Sequence, residues 1–226
     1  MNGNARRSVG SSELARRLGL DESRVRRLAA SGKLPARKVG HDWLFEIDLI
    51  GSEFSKDRSR GRPFSRESAL GVLFLASGAD APWLTPAARS RLRRRLKDVA
   101  KMRPRLRSRG ERRLYSAPAS LLRDLRKDQA FVQSGVSASE RYGMRIASQS
   151  ALEGYADASL IDRLTHRYAL ERVGEREANL VVHVVPRRLL PDGRVMPIAV
   201  VAADLADYSD ERTRSVGDDW LRRYAS

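Results

Sequence analysis

Between Val9 and Leu49 the apolar residues fall at spacings that leave little choice of local fold. Leu14, Ala15, Leu18 and Leu20 recur on one helical face, and Gly19 interrupts the pattern. Asp21 restarts it, with Val25, Leu28 and Ala29 as the next apolar stripe. Asp21 is a good N-cap, Glu22 suits the positive end of a helix dipole, and Gly32 supplies the stop. Two short helices joined by a tight turn make a helix-turn-helix, whose second helix ordinarily lies in the major groove of DNA. Ala36–Val39 and Trp43–Phe45, joined at Gly40-His41-Asp42, then predict a small β-hairpin wing.

On the second helix, Ser23, Arg24, Arg26 and Arg27 lie off the apolar stripe and are the candidate DNA contacts. Arg24 and Arg27, one turn apart, are the expected base readers, because a guanidinium can donate bidentately to guanine O6 and N7. Lys33, Arg37 and Lys38 are expected on the backbone beside the wing. His41, at the wing tip, either enters the minor groove or is a plain turn residue. Trp43 is expected to pack under the wing rather than to contact DNA.

The order helix, turn, helix, Ser31-Gly32-Lys33-Leu34-Pro35, wing and short acidic helix resembles the winged helices of the excisionase and MerR group. The pieces that carry the resemblance are S-G-x-L-P and the V-G-x-x-W of Val39–Trp43, and it covers roughly the first fifty residues. It implies DNA binding through the second helix.

Composition supports a nucleic-acid partner. The 226-residue chain carries a net charge of +16, unevenly placed. Residues 1–62 hold +6, residues 63–130 hold +11 and residues 131–226 hold −1. Thirteen basic residues fall in the twenty-five from Arg89 to Arg113, opposed locally by Asp98 and Glu111. Like charges at that density repel unless something neutralises them, as a phosphate backbone does with release of counterions. Arg89, Arg93, Arg94, Lys97, Lys101 and Arg105 are therefore the expected backbone contacts, to DNA or RNA. Such contacts position a protein without specifying sequence.

The chain has no cysteine, which excludes disulfides, thiolate metal sites and cysteine nucleophiles. Its three histidines (His41, His166, His183) are far apart in sequence, so no zinc site and no cofactor are expected. No apolar run approaches the roughly 18 residues of a membrane span, and no signal-type apolar segment opens the chain, so a cytoplasmic location is expected.

The expected class is α+β: a winged helix-turn-helix at 1–50 opening on a disordered basic arm (1–8), a polar linker at 51–62, a helical Arg-rich region at 63–130, and an α/β domain at 131–226. Ser65 is expected to cap a buried helix that ends at Gly78. Thr85-Pro86 should open another, running to about Ala100. Further on, Pro118–Leu125 and Ala158–Tyr168 are expected as helices and Phe131–Gln133 as a strand. Ser137 is expected to cap a helix with Glu140 at its third position. Leu170–Val173 and Asn179–Val185 are expected as strands, and Asp210–Tyr224 as a closing helix.

Four segments of the rear part also resemble the C-terminal domain of AbiEi-type antitoxins: Ser134–Gly143, Gly154–Leu164, Ala178–Pro186 and Val201–Arg214. None is a catalytic signature. The resemblance implies an antitoxin of a type IV pair, in which a winged helix represses the operon promoter and the C-terminal domain counteracts a nucleotidyltransferase toxin. The wing departs from that family towards the excisionase type. The expected partners are thus double-stranded DNA, a nucleotidyltransferase toxin and, as an open alternative, a second copy of the chain; no membrane is expected.

Enzymatic readings are weaker. Asp204, Asp207, Asp210 and Glu211 could bind Mg²⁺ in a nuclease, but no lysine follows Lys127 to accompany them. They are expected to be turn and cap residues, replaceable without loss of function. Arg163–Tyr168 gathers recombinase residue types too tightly on one helix to surround a phosphate. No phosphate-binding glycine loop and no G-x-S-x-G occur. No catalytic residue is therefore expected. The rival readings are an excisionase-like recombination accessory protein and a metal-dependent nuclease.

Overall fold

A computed structural model describes residues 8–18, 20–31, 34, 36–46, 63–146 and 151–223. The chain divides into two compact units, 1–58 and 59–226. The fold is α+β.

In the first unit, β1 (Ser8–Gly10) leads into α1 (Ser11–Leu18), α2 (Glu22–Ala30), β2 (Ala36–Val39) and β3 (Asp42–Glu46). β3 is central, antiparallel to both β1 and β2. Gly40 takes a φ of 62°, which the first position of a primed two-residue hairpin turn requires. The wing is therefore a tight hairpin. Leu14, Ala15 and Leu18 of α1 meet Val25 and Ala29 of α2, with Val9, Leu34 and Phe45 closing the core. Full burial of Val25 and Phe45 stabilises the unit by about 1.5–3 kcal/mol each. Trp43 is half-buried against the same core, as expected. Most of the basic arm and the short acidic helix after the wing lie outside the described residues.

The second unit begins with α3 (Arg66–Ala76), capped by Ser65 and apolar nearly all round. α4 (Pro86–Arg93) follows, with Thr85 as its cap. It stops well short of Ala100 and continues as 3-10 turns to Met102, then α5 (Arg103–Leu106) and a further 3-10 turn, Arg107–Arg109. The reason lies in the apolar spacing: Leu96, Val99 and Met102 recur every three residues, the repeat of a 3-10 helix.

Next come β4 (Glu111–Tyr115), α6 (Ala119–Leu125), β5 (Val132–Gln133), α7 (Gly135–Ala138), β6 (Leu152–Ala156), α8 (Ala158–Tyr168), β7 (Leu180–Val184), α9 (Ile198–Ala206) and α10 (Glu211–Arg223). The sheet order is β4-β7-β6-β5, with β6 and β7 parallel and joined by the α8 crossover. Both central strands are buried along their whole length. Residues 170–173 make only an isolated bridge, Tyr115 to Arg172, rather than the expected strand. Ser137 lies inside α7 rather than capping a helix; Ser134 holds the cap position.

The expected division at residue 130 is not a structural boundary. β4 lies in the Arg-rich region yet pairs along its length with β7. Leu70, Leu73 and Leu106 share one hydrophobic core with Val200, Val201 and Leu205. Residues on the two sides of 130 bury the same surface and form one unit. Gly217 lets α10 cross α9 closely, since a Cβ there would stand 2.3 Å from the Ala206 nitrogen. Among the described residues no helix is long and apolar enough to cross a membrane.

The register of β6 on β7 sorts the sheet into two unlike faces. Leu152, Ala156, Leu180, Val182 and Val184 face an apolar layer with Leu121 and Leu125 of α6 and Leu160 and Ile161 of α8. Glu153, Tyr155 and His183 point to the opposite side.

Candidate nucleic-acid interface

α2 is set by its cap. The Asp21 carboxylate accepts from the Arg24 backbone N–H at 2.8 Å and from the Ser23 hydroxyl at 2.6 Å. The Ser23 hydroxyl first, and then the Arg24 amide, hold the Asp21 carboxyl below its ordinary pKa. Ser31 closes the helix, its backbone N–H reaching the carbonyls of Ala29 and Arg27.

The four sequence-predicted residues of α2 are all exposed, but they are not equivalent. Ser23 has its hydroxyl committed to the cap. Arg26 is paired to Glu22, one turn earlier. Arg24 and Arg27 make no side-chain hydrogen bond or ion pair among the described residues. They share a face with Asp21, Leu28 and Ser31, lining a shallow hollow of about 490 Å³. The geometry thus separates the expected base readers from their neighbours. Arg37, Lys38 and His41 are exposed on the wing, together with Val39 at 47%. Lys33 lies outside the described residues.

The Arg89–Arg113 run divides in two. Arg91, Arg93, Arg94, Arg95 and Lys97 are exposed and have no charged or hydrogen-bonding partner among the described residues. Arg89 is paired to Asp80 at 2.9 Å and donates to the Ala81 carbonyl. Arg105 sits over the Phe64 ring at 4.1 Å. Lys101 is exposed but has interaction partners of its own. From Arg103 onward the guanidiniums meet carboxylates from the other end of the unit: Arg103 pairs with Asp218, Arg107 with Asp207, and Arg112 with Glu175. Arg89 and Arg105 are therefore structural residues, contrary to expectation, because these local groups already hold their guanidiniums.

Arg109 is the extreme case, 2% exposed. Its Nε and Nη2 both reach Oδ1 of Asp204, at 2.7 and 2.6 Å, and Nη2 lies 2.8 Å from Asp207. Nη1 donates to the Leu106 carbonyl and Nη2 to that of Ala203. Burial opposes its charge, but Asp204 and Asp207 outweigh burial and hold its pKa above the ordinary arginine value.

The same Asp204 oxygen accepts from the Tyr155 hydroxyl at 3.0 Å, and Oδ2 accepts from Ser134. Tyr155 stacks on His183 with ring centres 4.6 Å apart. His183 Nε2 lies 3.0 Å from Glu153, whose other oxygen accepts from Tyr208 at 2.9 Å. Burial disfavours the Glu153 carboxylate, yet the hydrogen bond and charge of His183, then Arg112, hold its pKa below the ordinary range. Gly135 stands so close that a Cβ on it would fall 1.7 Å from Glu153.

Asp204 lies inside α9 and Asp207 is its C-cap, as expected of a turn-and-cap residue; both are also counter-charges of the basic run. The cap expectation holds for Asp210, which accepts from the Thr213 backbone N–H at 2.9 Å. Glu153, His183 and Asp204 bring ligand-type atoms within 4.8 Å of one another. Each is already engaged, and the Arg109 guanidinium supplies the positive charge that Asp204 faces. A cation would have to displace it, so the donor set does not fit a metal. No local sequence signal marks this network; its members are spread from Arg109 to Tyr208.

A family model described as a helix-turn-helix domain matches residues 9–48. The match spans α1, α2 and the wing. No curated protein and no solved structure matches the chain.

Proposed function

We propose that the chain is a sequence-specific DNA-binding transcriptional regulator, a binding protein rather than an enzyme. The observation that carries this reading is the pair Arg24 and Arg27, exposed on one face of a capped α2 with no side-chain hydrogen bond or ion pair among the described residues, within the stretch that matches a helix-turn-helix domain. A major-groove helix needs guanidiniums that are free to turn towards base edges. Ser23 and Arg26 flank them, and Lys33, Arg37, Lys38 and His41 extend the basic surface along the wing.

Selection of bound fragments from random-sequence duplex supplies the test. One bidentate arginine–guanine contact is worth about 1–3 kcal/mol of discrimination, or roughly 5- to 150-fold. Arg24→Ala and Arg27→Ala are each expected to relax the selected sequence at one position by that factor. An unchanged selected sequence in both variants would refute the reading.

The specific form we propose is an antitoxin that represses its own operon and counteracts a nucleotidyltransferase toxin. Its support is the resemblance of Ser134–Gly143, Gly154–Leu164, Ala178–Pro186 and Val201–Arg214 to AbiEi-type antitoxins, and the near-neutral charge of residues 131–226. An adjacent nucleotidyltransferase gene is expected. Co-expression with that toxin should restore growth, and failure to do so would sink the antitoxin role while leaving DNA binding intact.

A further inference from the structure

We infer that Arg91, Arg93, Arg94, Arg95 and Lys97 form a second, sequence-independent DNA surface, on the 59–226 unit, which grips the phosphate backbone of duplex DNA.

Structure narrows the basic run to this strip. Arg103, Arg107, Arg109, Arg112 and Arg113 are neutralised by carboxylates, and Arg89 by Asp80. Lys101 has interaction partners and Arg105 lies over the Phe64 ring. The five cations left occupy seven consecutive residues, all exposed and all without a partner among the described residues. Five like charges within seven residues repel unless something neutralises them. The chain turns at this point, because α4 ends at Arg93 and a 3-10 turn begins at Leu96. Arg93 and Arg94, with Pro86, Arg89 and Ser90, line an open hollow of about 500 Å³.

A polyanion removes the repulsion, and three kinds could do so. An acidic protein surface is disfavoured, because the arginines that anchor protein interfaces do so in packed, desolvated pockets beside aromatic side chains. The single exposed large hydrophobic among the described residues is Val39, in the other unit. Single-stranded RNA is disfavoured because its readers stack bases on exposed aromatics. Trp83, the nearest aromatic in sequence, is instead packed on Phe74 and donates to the Glu67 carbonyl. Duplex phosphate asks only for cations at a surface, which this strip supplies. The inference rests on the reading of α2 as a DNA helix for taking duplex DNA as the polyanion that the chain meets.

The test uses the full chain and a random-sequence 30-base-pair duplex, so no operator need be known. Affinity is followed by fluorescence anisotropy against NaCl concentration. Each phosphate neutralised contributes about 0.9 to the slope of log K on log salt. Replacing Arg91, Arg93, Arg94, Arg95 and Lys97 together by Gln is expected to make the slope shallower by about 3 to 4.5. A control variant removes the same charge from exposed residues elsewhere in the unit: Arg123, Arg126, Lys127, Arg141 and Arg163, each to Gln. It is expected to change the slope by less than about 1. Equal changes in both variants would overturn the strip as a site, as would no change in the first. Strip-dependent binding of a single-stranded RNA of the same length, in preference to the duplex, would also overturn it. A strip variant with unchanged slope but Arg24-dependent sequence selection defeats this inference alone. A wild-type chain that binds no duplex defeats the reading of α2 as well.

Discussion

Arg91–Lys97 and Arg103–Arg113 are neighbouring stretches of one basic run, and the fold treats them in opposite ways. The first stretch is exposed and has no partner among the described residues; the second is threaded through Asp204, Asp207, Asp218 and Glu175. Composition alone makes them the same. What separates them is whether the chain, a hundred residues later, supplies a carboxylate. Density of charge is therefore a poor guide to function until its counter-charges have been located.

The comparison breaks most visibly at Arg109. Arg109→Ala leaves Asp204 buried without its cation, and Asp207 with Arg107 alone of its close partners, and is expected to cost about 3–5 kcal/mol in urea unfolding. Asp204→Ala should cost a similar amount, so the sequence-based expectation that this carboxylate is dispensable does not stand. Arg109→Met combined with Asp204→Leu removes both charges together and should recover much of the loss. A loss under about 1 kcal/mol for the single Arg109 change would show that the second stretch is no more structural than the first.

Acid sharpens the same contrast. Glu153 and Asp207 are held below their ordinary values of 4.5 and 3.8, so the folded chain binds fewer protons than the unfolded one as those groups titrate. Their contribution is complete above about pH 5 and is lost as the pH falls through the depressed folded values. Urea midpoints should therefore fall steadily between about pH 5 and pH 2. Glu153→Gln should flatten that decline, whereas Gln at Arg93 should leave its shape unchanged. Identical profiles in the two variants would contradict this account.

The smallest effect is expected in the exposed stretch. Arg94→Gln touches no partner and should change stability by less than about 0.5 kcal/mol, read by thermal unfolding. A larger loss would place Arg94 with the structural stretch.

Legibility in the sequence followed the range of the interactions. Ala158–Tyr168 shows its apolar stripe and its Asp157 cap within twelve residues, and the helix has those ends. The wing was readable because Gly40 and the flanking alternation are local. The overlong expectation for α4 arose because Leu92, Leu96 and Val99 satisfy an α-helical repeat, while Leu96 and Val99 also begin the 3-10 repeat that continues to Met102. At the candidate interface, the exposure of α2 is readable, and the i,i+4 spacing that pairs Arg26 with Glu22 is local too, leaving Arg24 and Arg27 on their own face. The Arg109–Asp204 pair was invisible for a plainer reason. Ninety-five residues separate its members, and no spacing rule connects them.

That separation also bears on how the unit is made. During synthesis Arg109 leaves the ribosome long before Asp204 and Asp207 exist, and β4 leaves long before its partner β7. A nascent chain that stops short of α9 holds an uncompensated guanidinium where the finished unit is dry, so it cannot close its core. The 59–226 unit consequently folds late and as a whole, with slow non-local pairing, and a chain cut before residue 204 is left for proteases rather than as a smaller working domain.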